Sequence, residues 1–203
     1  MHSTLLLPQA VEITTDSVGF EDGLLKKVHA LIGDRCLIGV GTITTLKQLE
    51  IAAAEGAAFA LSPVNPKFDG FERRGFVHEC HKRGIVAMPA AYTPQEIYEA
   101  QAQGARTIKL FPAQKWTPKQ LKDLKAVGDF GKANICPSGG INHENAAEWL
   151  AAGAAAVGMG SCLAGRDIKI EDSSSPAFQA AVEKWTTTER PAAAALAETL
   201  HLS

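Results

Sequence analysis

The residue with the most chemical consequence is a lysine in an unusual place. Lys109 stands in Thr107-Ile108-Lys109-Leu110-Phe111-Pro112, a run that otherwise suits a buried strand. An ammonium there either snorkels to water along its alkyl stem or loses solvation, and lost solvation favours the neutral amine. A neutral amine attacks carbonyl carbon, and the product of that attack is an imine. Taken alone, the residue reads first as a strand-end lysine that reaches solvent.

A carboxylate offers itself as its companion. Glu12 lies in Val11-Glu12-Ile13-Thr14, and an acid in an apolar strand is unusual unless it is paired. It can form an ion pair with Lys109, and it can move protons as a general acid/base during imine formation and enamine reprotonation. The two roles are compatible. Late in the chain, Ser138-Gly139-Gly140-Ile141 and Gly158-Met159-Gly160-Ser161 each follow a strand. Glycine turns of this kind expose backbone N–H groups that hold phosphate or another anion, although they also join strand to helix in many proteins.

Metal chemistry has little to build on. His78, Cys80 and His81 are the only crowded ligand types, in a charged stretch with no second pair at zinc-like spacing, and they read as a solvated helix. Cys36, Cys80, Cys136 and Cys162 are scattered in mostly apolar company, as reduced, buried thiols would be.

Short apolar runs alternate with amphipathic segments. Strands are expected at residues 11–14, 37–39, 59–62, 86–88, 107–110, 134–137 and 156–159, each suited to burial on both faces. Helices are expected at 21–32, 45–55, 71–83, 94–103, 118–127 and 144–152. Thr93-Pro94-Gln95-Glu96 supplies an N-cap, a proline at the first helical position and a capping-box glutamate. Glu55-Gly56-Ala57, Gln103-Gly104-Ala105 and Ala152-Gly153-Ala154 each end a helix just before a strand, with glycine closing the helix and alanine allowing close packing.

Repeated βα units imply a parallel sheet, and no GxGxxG or P-loop follows any strand. A TIM-type (β/α) barrel is therefore favoured over an open doubly wound sheet. Its seven legible strands are one short of eight, and the unit that is lacking is the first. In such folds the active site collects at the C-terminal strand ends. Those ends carry Glu12, Thr14, Thr42, Ser62, Pro63, Pro89, Lys109, Ser138, Gly139, Gly140, Gly160 and Ser161.

The 203 residues suit one domain over 1–203, with 164–203 as a C-terminal tail: a polar loop at 166–175, then helices at 176–185 and 191–200. A hydrophobic share of 46%, a charged share of 21% and a net charge of −2 give no reason to expect nucleic-acid or membrane partners. Met1-His2-Ser3-Thr4 lacks the basic region and long apolar core of a signal peptide, so a cytoplasmic location is expected.

Taken together, the motifs resemble a known family. Gly39-Val40-Gly41-Thr42-Ile43, Leu61-Ser62-Pro63, Met88-Pro89-Ala90, Ile108-Lys109-Leu110-Phe111-Pro112-Ala113, Cys136-Pro137-Ser138-Gly139-Gly140-Ile141 and Gly160-Ser161 occur in order between about 11 and 163. In sequence and spacing they are similar to the 2-keto-3-deoxy-6-phosphogluconate / 4-hydroxy-2-oxoglutarate aldolases. The resemblance implies a homotrimeric class I lyase of carbohydrate metabolism. It would cleave a 2-oxo-4-hydroxy acid to pyruvate and an aldehyde, with no metal or other cofactor. Lys109 would be the Schiff-base lysine and Glu12 the acid/base. Thr42, Pro63 and Phe111 would shape the pyruvate pocket, and Gly139, Gly140, Gly160 and Ser161 would bind the distal phosphate or hydroxyl end.

Two departures bear on this expectation. Asp16 stands where family members often carry an arginine that holds an anionic substrate group, and the family's first strand and helix have no counterpart before Glu12. A phosphate-binding barrel of another class would suit the glycine turns but gives no reason for Lys109. A relative that binds a small acid or a protein partner without catalysis would suit both departures.

Overall fold

Seven strands form in the computed structural model, which describes residues 10–33, 36–68 and 75–164, and each named strand runs parallel to its neighbours. They are β1 (Ala10–Thr14), β2 (Leu37–Gly41), β3 (Phe59–Leu61), β4 (Val86–Met88), β5 (Ala90–Ala91), β6 (Thr107–Leu110) and β7 (Asn134–Pro137). Hydrogen bonds link β1-β2-β3-β4 and then β5-β6-β7. β4 and β5 are two halves of one strand position, parted at Pro89, which has no N–H to give the ladder. The carbonyl of Pro89 still accepts from Lys109 N at 3.0 Å, so the array continues into β6. The strand expected at 156–159 is reduced to a single parallel bridge between Ser138 and Gly158. Successive parallel strands with helices between them make a TIM-type (β/α) barrel wall.

The intervening helices are α1 (Leu24–Ile32), α2 (Leu46–Ala54), α3 (Phe76–Lys82), α4 (Pro94–Ala102), α5 (Pro118–Lys125), α6 (Ala146–Ala151) and the short α7 (Ser161–Ala164). The capping box at Thr93 and Glu96 forms as its sequence predicts, and Thr45 with Gln48 and Thr117 with Gln120 make two more. The helix expected from residue 21 is split, because Gly23 adopts φ 80° between a 3-10 turn and α1. Gly56, Gly104 and Gly153 all take left-handed φ values (87°, 96° and 98°), and the alanine after each is buried. The N–H of each of those alanines reaches back five residues to a helix carbonyl, which closes the helix and turns the chain into the next strand.

Period-two alternation divides the strand residues into two sets. Ile38, Val40, Ala60, Ala87, Ile108, Leu110 and Ile135 face outward and pack with Leu25, Leu49, Phe76, Val77, Ile97, Leu121 and Trp149 of the helices. Cys80 belongs to this core and is fully buried. The reading of His78, Cys80 and His81 as one solvated face therefore fails at its middle residue, which the helical period turns inward. The four cysteines form no disulfide with one another; Cys80 and Cys136 are buried, Cys36 and Cys162 partly so. Among the described residues, no helix is long and apolar enough to cross a membrane. The loop expected at 166–175 and the helices expected at 176–185 and 191–200 lie outside the described residues.

Candidate active site

The opposite face of the strands forms the interior. Register places Glu12 beside Gly39, Gly39 beside Phe59, Leu61 beside Met88, and Ala90, Lys109 and Cys136 in one row. Lys109 thus projects inward from the middle of the wall, at 7% exposure. Glu12 projects inward from β1, and its Oε1 lies 3.8 Å from Lys109 Nζ. That pair spans the interior from one strand position to another four places along the wall.

A comparison within the protein shows how loose this pairing is. The buried polar or charged side chains among the described residues are Ser62, Glu79 and Lys109. Ser62 accepts a hydrogen bond from the Val64 N–H. Glu79 is hydrogen-bonded by the Arg83 guanidinium one turn along its own helix, which holds its carboxyl below the usual range against the opposing cost of burial. Among the described residues Lys109 has no such close partner, since 3.8 Å is beyond hydrogen-bond length. An oxygen atom lying to the side of this pair, and not between the two, can be within hydrogen-bond reach of both Nζ and the Glu12 carboxylate. The remaining wall is supplied by Phe111, whose ring centroid lies 5.1 Å from Nζ, and by Cys136. Burial pushes the Cys136 thiol up to about 11, against the opposing pull of the Lys109 charge, so it is a neutral neighbour at physiological pH.

The loops at the C-terminal strand ends are laced to one another. Thr15 N donates to Gly41 O and Thr15 Oγ1 donates to Thr42 O, both at 3.0 Å. Thr42 is held at φ 62°, and among the described residues it is the one non-glycine with positive φ. A β-branched residue pays for that conformation, typically ~1–3 kcal/mol, so surrounding contacts must impose it. Ile43 N donates to Leu61 O, Ala90 N to Val64 O, and Ala113 N to Ser138 O. Gly139 (φ 89°) turns against the Phe111 ring and Pro112, and Gly140 (φ 81°) against Gln114. The N–H groups of Gly139, Gly140 and Gly160 donate to no backbone carbonyl among the described residues.

The residues singled out in the sequence therefore separate into groups. Lys109, Glu12 and Phe111 are brought into direct relation, Gly139 packs on Phe111, and Thr42 is tied to the strand of Glu12 through Thr15. Pro63 is half-buried after β3, while Gly160 and Ser161 are exposed at the start of α7. Among the described residues, no hydrogen bond or ion pair joins these three to Lys109. Asp16 is exposed in the turn that Ser17 N closes onto Thr14 O. Sequence reasoning passed over Cys136, Thr15 and Gly41. Cys136 could have been found by counting back two residues from Ser138; Thr15 carries no signal of its double hydrogen bond. Among the described residues, no group of three or more His, Cys, Asp or Glu side chains could hold a metal ion.

With the site in place, comparison with known proteins is informative. The family described as KDPG and KHG aldolase matches residues 9–176. The 2-dehydro-3-deoxy-6-phosphogalactonate aldolase of Escherichia coli (strain K12) is 33% identical over 172 residues, covering 83% of this chain and 79% of that one. The solved structure of native KDPGal superposes with a TM-score of 0.70 at 26% identity, over 93% of this chain and 84% of its own. The KDPG aldolase from Legionella pneumophila, with pyruvate captured as a covalent carbinolamine intermediate, superposes with a TM-score of 0.67 at 26% identity, over 93% of this chain and 79% of its own. The chain belongs to the KDPG and KHG aldolase family.

Proposed function

We propose that this protein is a class I aldolase that cleaves a 2-oxo-4-hydroxy, 3-deoxy-6-phospho sugar acid to pyruvate and an aldehyde through an imine on Lys109. The observation that carries this reading is the burial of the Lys109 amine inside the barrel, 3.8 Å from the Glu12 carboxylate oxygen. In the forward reaction the amine adds to the C2 carbonyl to give a carbinolamine, which loses water to form a protonated imine. That cation is the electron sink when the C3–C4 bond breaks and the C4 hydroxyl proton leaves with formation of the aldehyde. The resulting enamine takes a proton at C3, and water then releases pyruvate and restores the amine. Glu12 is the group beside the amine that can move these protons, through a water or the carbinolamine oxygen within reach of both side chains.

Thr42, Pro63 and Phe111 shape the pocket for the pyruvate half. Gly139, Gly140, Gly160 and Ser161 take the distal phosphate with N–H groups that, among the described residues, are not spent on backbone carbonyls. The named substrate of the Escherichia coli relative, a 6-phosphorylated 3-deoxy acid, supports this choice. No cofactor is needed by such a cycle.

The test is borohydride reduction in the presence of pyruvate, followed by peptide mass spectrometry. A stable adduct on Lys109 is expected; its absence at high pyruvate refutes the assignment. We further propose that residues 1–203 act as one barrel domain with 164–203 as its tail, that the protein is a cytoplasmic homotrimer, and that association covers β1. Among the described residues, β1 pairs on one side only, and open strand edges invite covering. A monomer by light scattering at micromolar concentration would refute the trimer.

A further inference from the structure

The position of the Glu12 carboxylate depends on a side chain that is missing one strand away. Gly41 ends β2, beside Thr14 in the register. A β-carbon at Gly41 would overlap Oε1 and Cδ of Glu12 and lie 2.8 Å from its Cγ. Oε1 is the same atom that faces Lys109 Nζ. The carboxylate therefore fills the volume that any side chain at position 41 would claim.

Glycine is required here by space and not by backbone conformation, because Gly41 is absent from the glycines with positive φ. Nor can Gly41 retreat, since Thr15, the residue just after β1, grips the carbonyls of Gly41 and Thr42. Gly39 makes an instructive contrast. A β-carbon there would overlap the half-buried Phe59 ring, a wide and rigid group that cannot fold aside as a flexible chain can, so a substitution there costs stability. At Gly41 the obstacle is the end of a flexible side chain with 31% of its surface open to solvent. Glu12 can swing outward, which relieves the overlap but removes the acid from Lys109.

We propose that Gly41 is a positioning residue, which sets the Glu12 carboxylate against Lys109 by leaving its own β-carbon space empty; this rests on the reading of Glu12 as the acid/base. The test compares wild type, Gly41→Ala, Glu12→Gln and the double variant. Each is measured for thermal unfolding, for kcat and KM in cleavage, for the pH profile of kcat, and for borohydride trapping with pyruvate. Gly41→Ala should unfold near the wild-type temperature and keep its KM within a few-fold. Its kcat should fall by about 10²-fold or more, the range expected when a general acid/base is lost, and its pH profile should lose the same limb that Glu12→Gln loses. The double variant should be no slower than Glu12→Gln alone.

Wild-type kcat in Gly41→Ala beside a slow Glu12→Gln overturns the proposal and leaves the acid/base reading intact, as do losses that multiply in the double variant. Wild-type turnover in Glu12→Gln overturns both. If Gly41→Ala does not fold, the pair Gly41→Ala/Glu12→Ala decides. Recovery of a cooperative transition identifies Glu12 as the group displaced, and continued failure overturns the proposal.

Discussion

The Lys109 nitrogen stands 5.1 Å from the centroid of the Phe111 ring, two residues further along the same chain. The face of an aromatic ring attracts a cation at that distance, by about 0.5–2 kcal/mol depending on how dry the site is. In the proposed cycle the positive charge is carried by the iminium nitrogen at the same place. Phe111→Leu keeps an apolar side chain beneath Gly139 but removes the ring face. It should lower kcat/KM by about 2- to 30-fold, while Phe111→Tyr stays near wild type. Equal losses in both variants would mean that the ring serves only to pack the turn.

Lys109 and Glu12 separate cleanly by what each variant can still do. Lys109→Met should keep the fold, because an apolar chain of similar length replaces a buried amine that has no hydrogen-bonded partner among the described residues. It should form no reducible adduct with pyruvate. Glu12→Gln should retain the adduct and slow turnover by about 10²–10⁴-fold. An adduct in Lys109→Met would move the imine to another amine, and unchanged turnover in Glu12→Gln would reduce Glu12 to a structural ion pair.

Much of this was legible in the sequence wherever local chemistry dictates the outcome. The Thr93 capping box and the closing glycines at 56, 104 and 153 depend on a few neighbouring residues, and each forms as read. Lys109 and Glu12 stand out in the sequence because a charge in an apolar strand needs a reason, and the fold brings the two within 3.8 Å of each other. Gly41 does not stand out, since a glycine at a strand end has many uses and its own depends on Glu12, 29 positions earlier. Cys80 supports two readings in the sequence, a buried thiol and one residue of a solvated helix, and the structure bears out the first. Its neighbours His78 and His81 are polar, and only the packing of α3 on the sheet reveals which face is buried. The last strand was overcalled from its composition: an alanine- and glycine-rich run yields one bridge at Gly158.

Two buried thiols predict a loss of stability in alkali. Burial pushes Cys80 up to about 12 and Cys136 up to about 11, from an ordinary value of 9.0. Above about pH 9 the unfolded chain releases these protons while the folded state retains them, so the folded state binds more protons and stability falls as pH rises. The contribution is complete below pH 9 and is lost progressively toward pH 11–12. Cys80→Ala sacrifices some packing at every pH but does not carry this dependence at that site. The gap in melting temperature between wild type and Cys80→Ala should therefore narrow between pH 8.5 and 10.5 (roughly the window set by these shifts). A constant gap would show that Cys80 ionises as readily in the folded protein as in the unfolded chain.

The charge of the substrate should matter at two separate places. At the distal end, Gly139 and Gly140 adopt φ values of 89° and 81° and leave their N–H groups without backbone acceptors among the described residues. Hydrogen bonds from such groups to an anion are each worth about 1.5–3 kcal/mol. The phosphorylated 3-deoxy acid should therefore be preferred over its unphosphorylated form. Gly140→Ala tests this: alanine at that φ is strained, and its β-carbon would lie 2.9 Å from Gln114 Cβ, so the turn must shift and the preference should shrink by about tenfold or more. At the other end, exposed Asp16 follows Glu12 by four residues in the turn closed by Thr14 and Ser17. We propose that a carboxylate there repels an anionic substrate, so that Asp16→Arg lowers KM for both substrates while the preference between them stays the same; an unchanged KM would place Asp16 outside the pocket. If the two substrates are instead used equally well by the wild type, the glycine turns hold no phosphate. The natural substrate is then a small hydroxy-oxo acid, for which Asp16→Arg remains the informative variant.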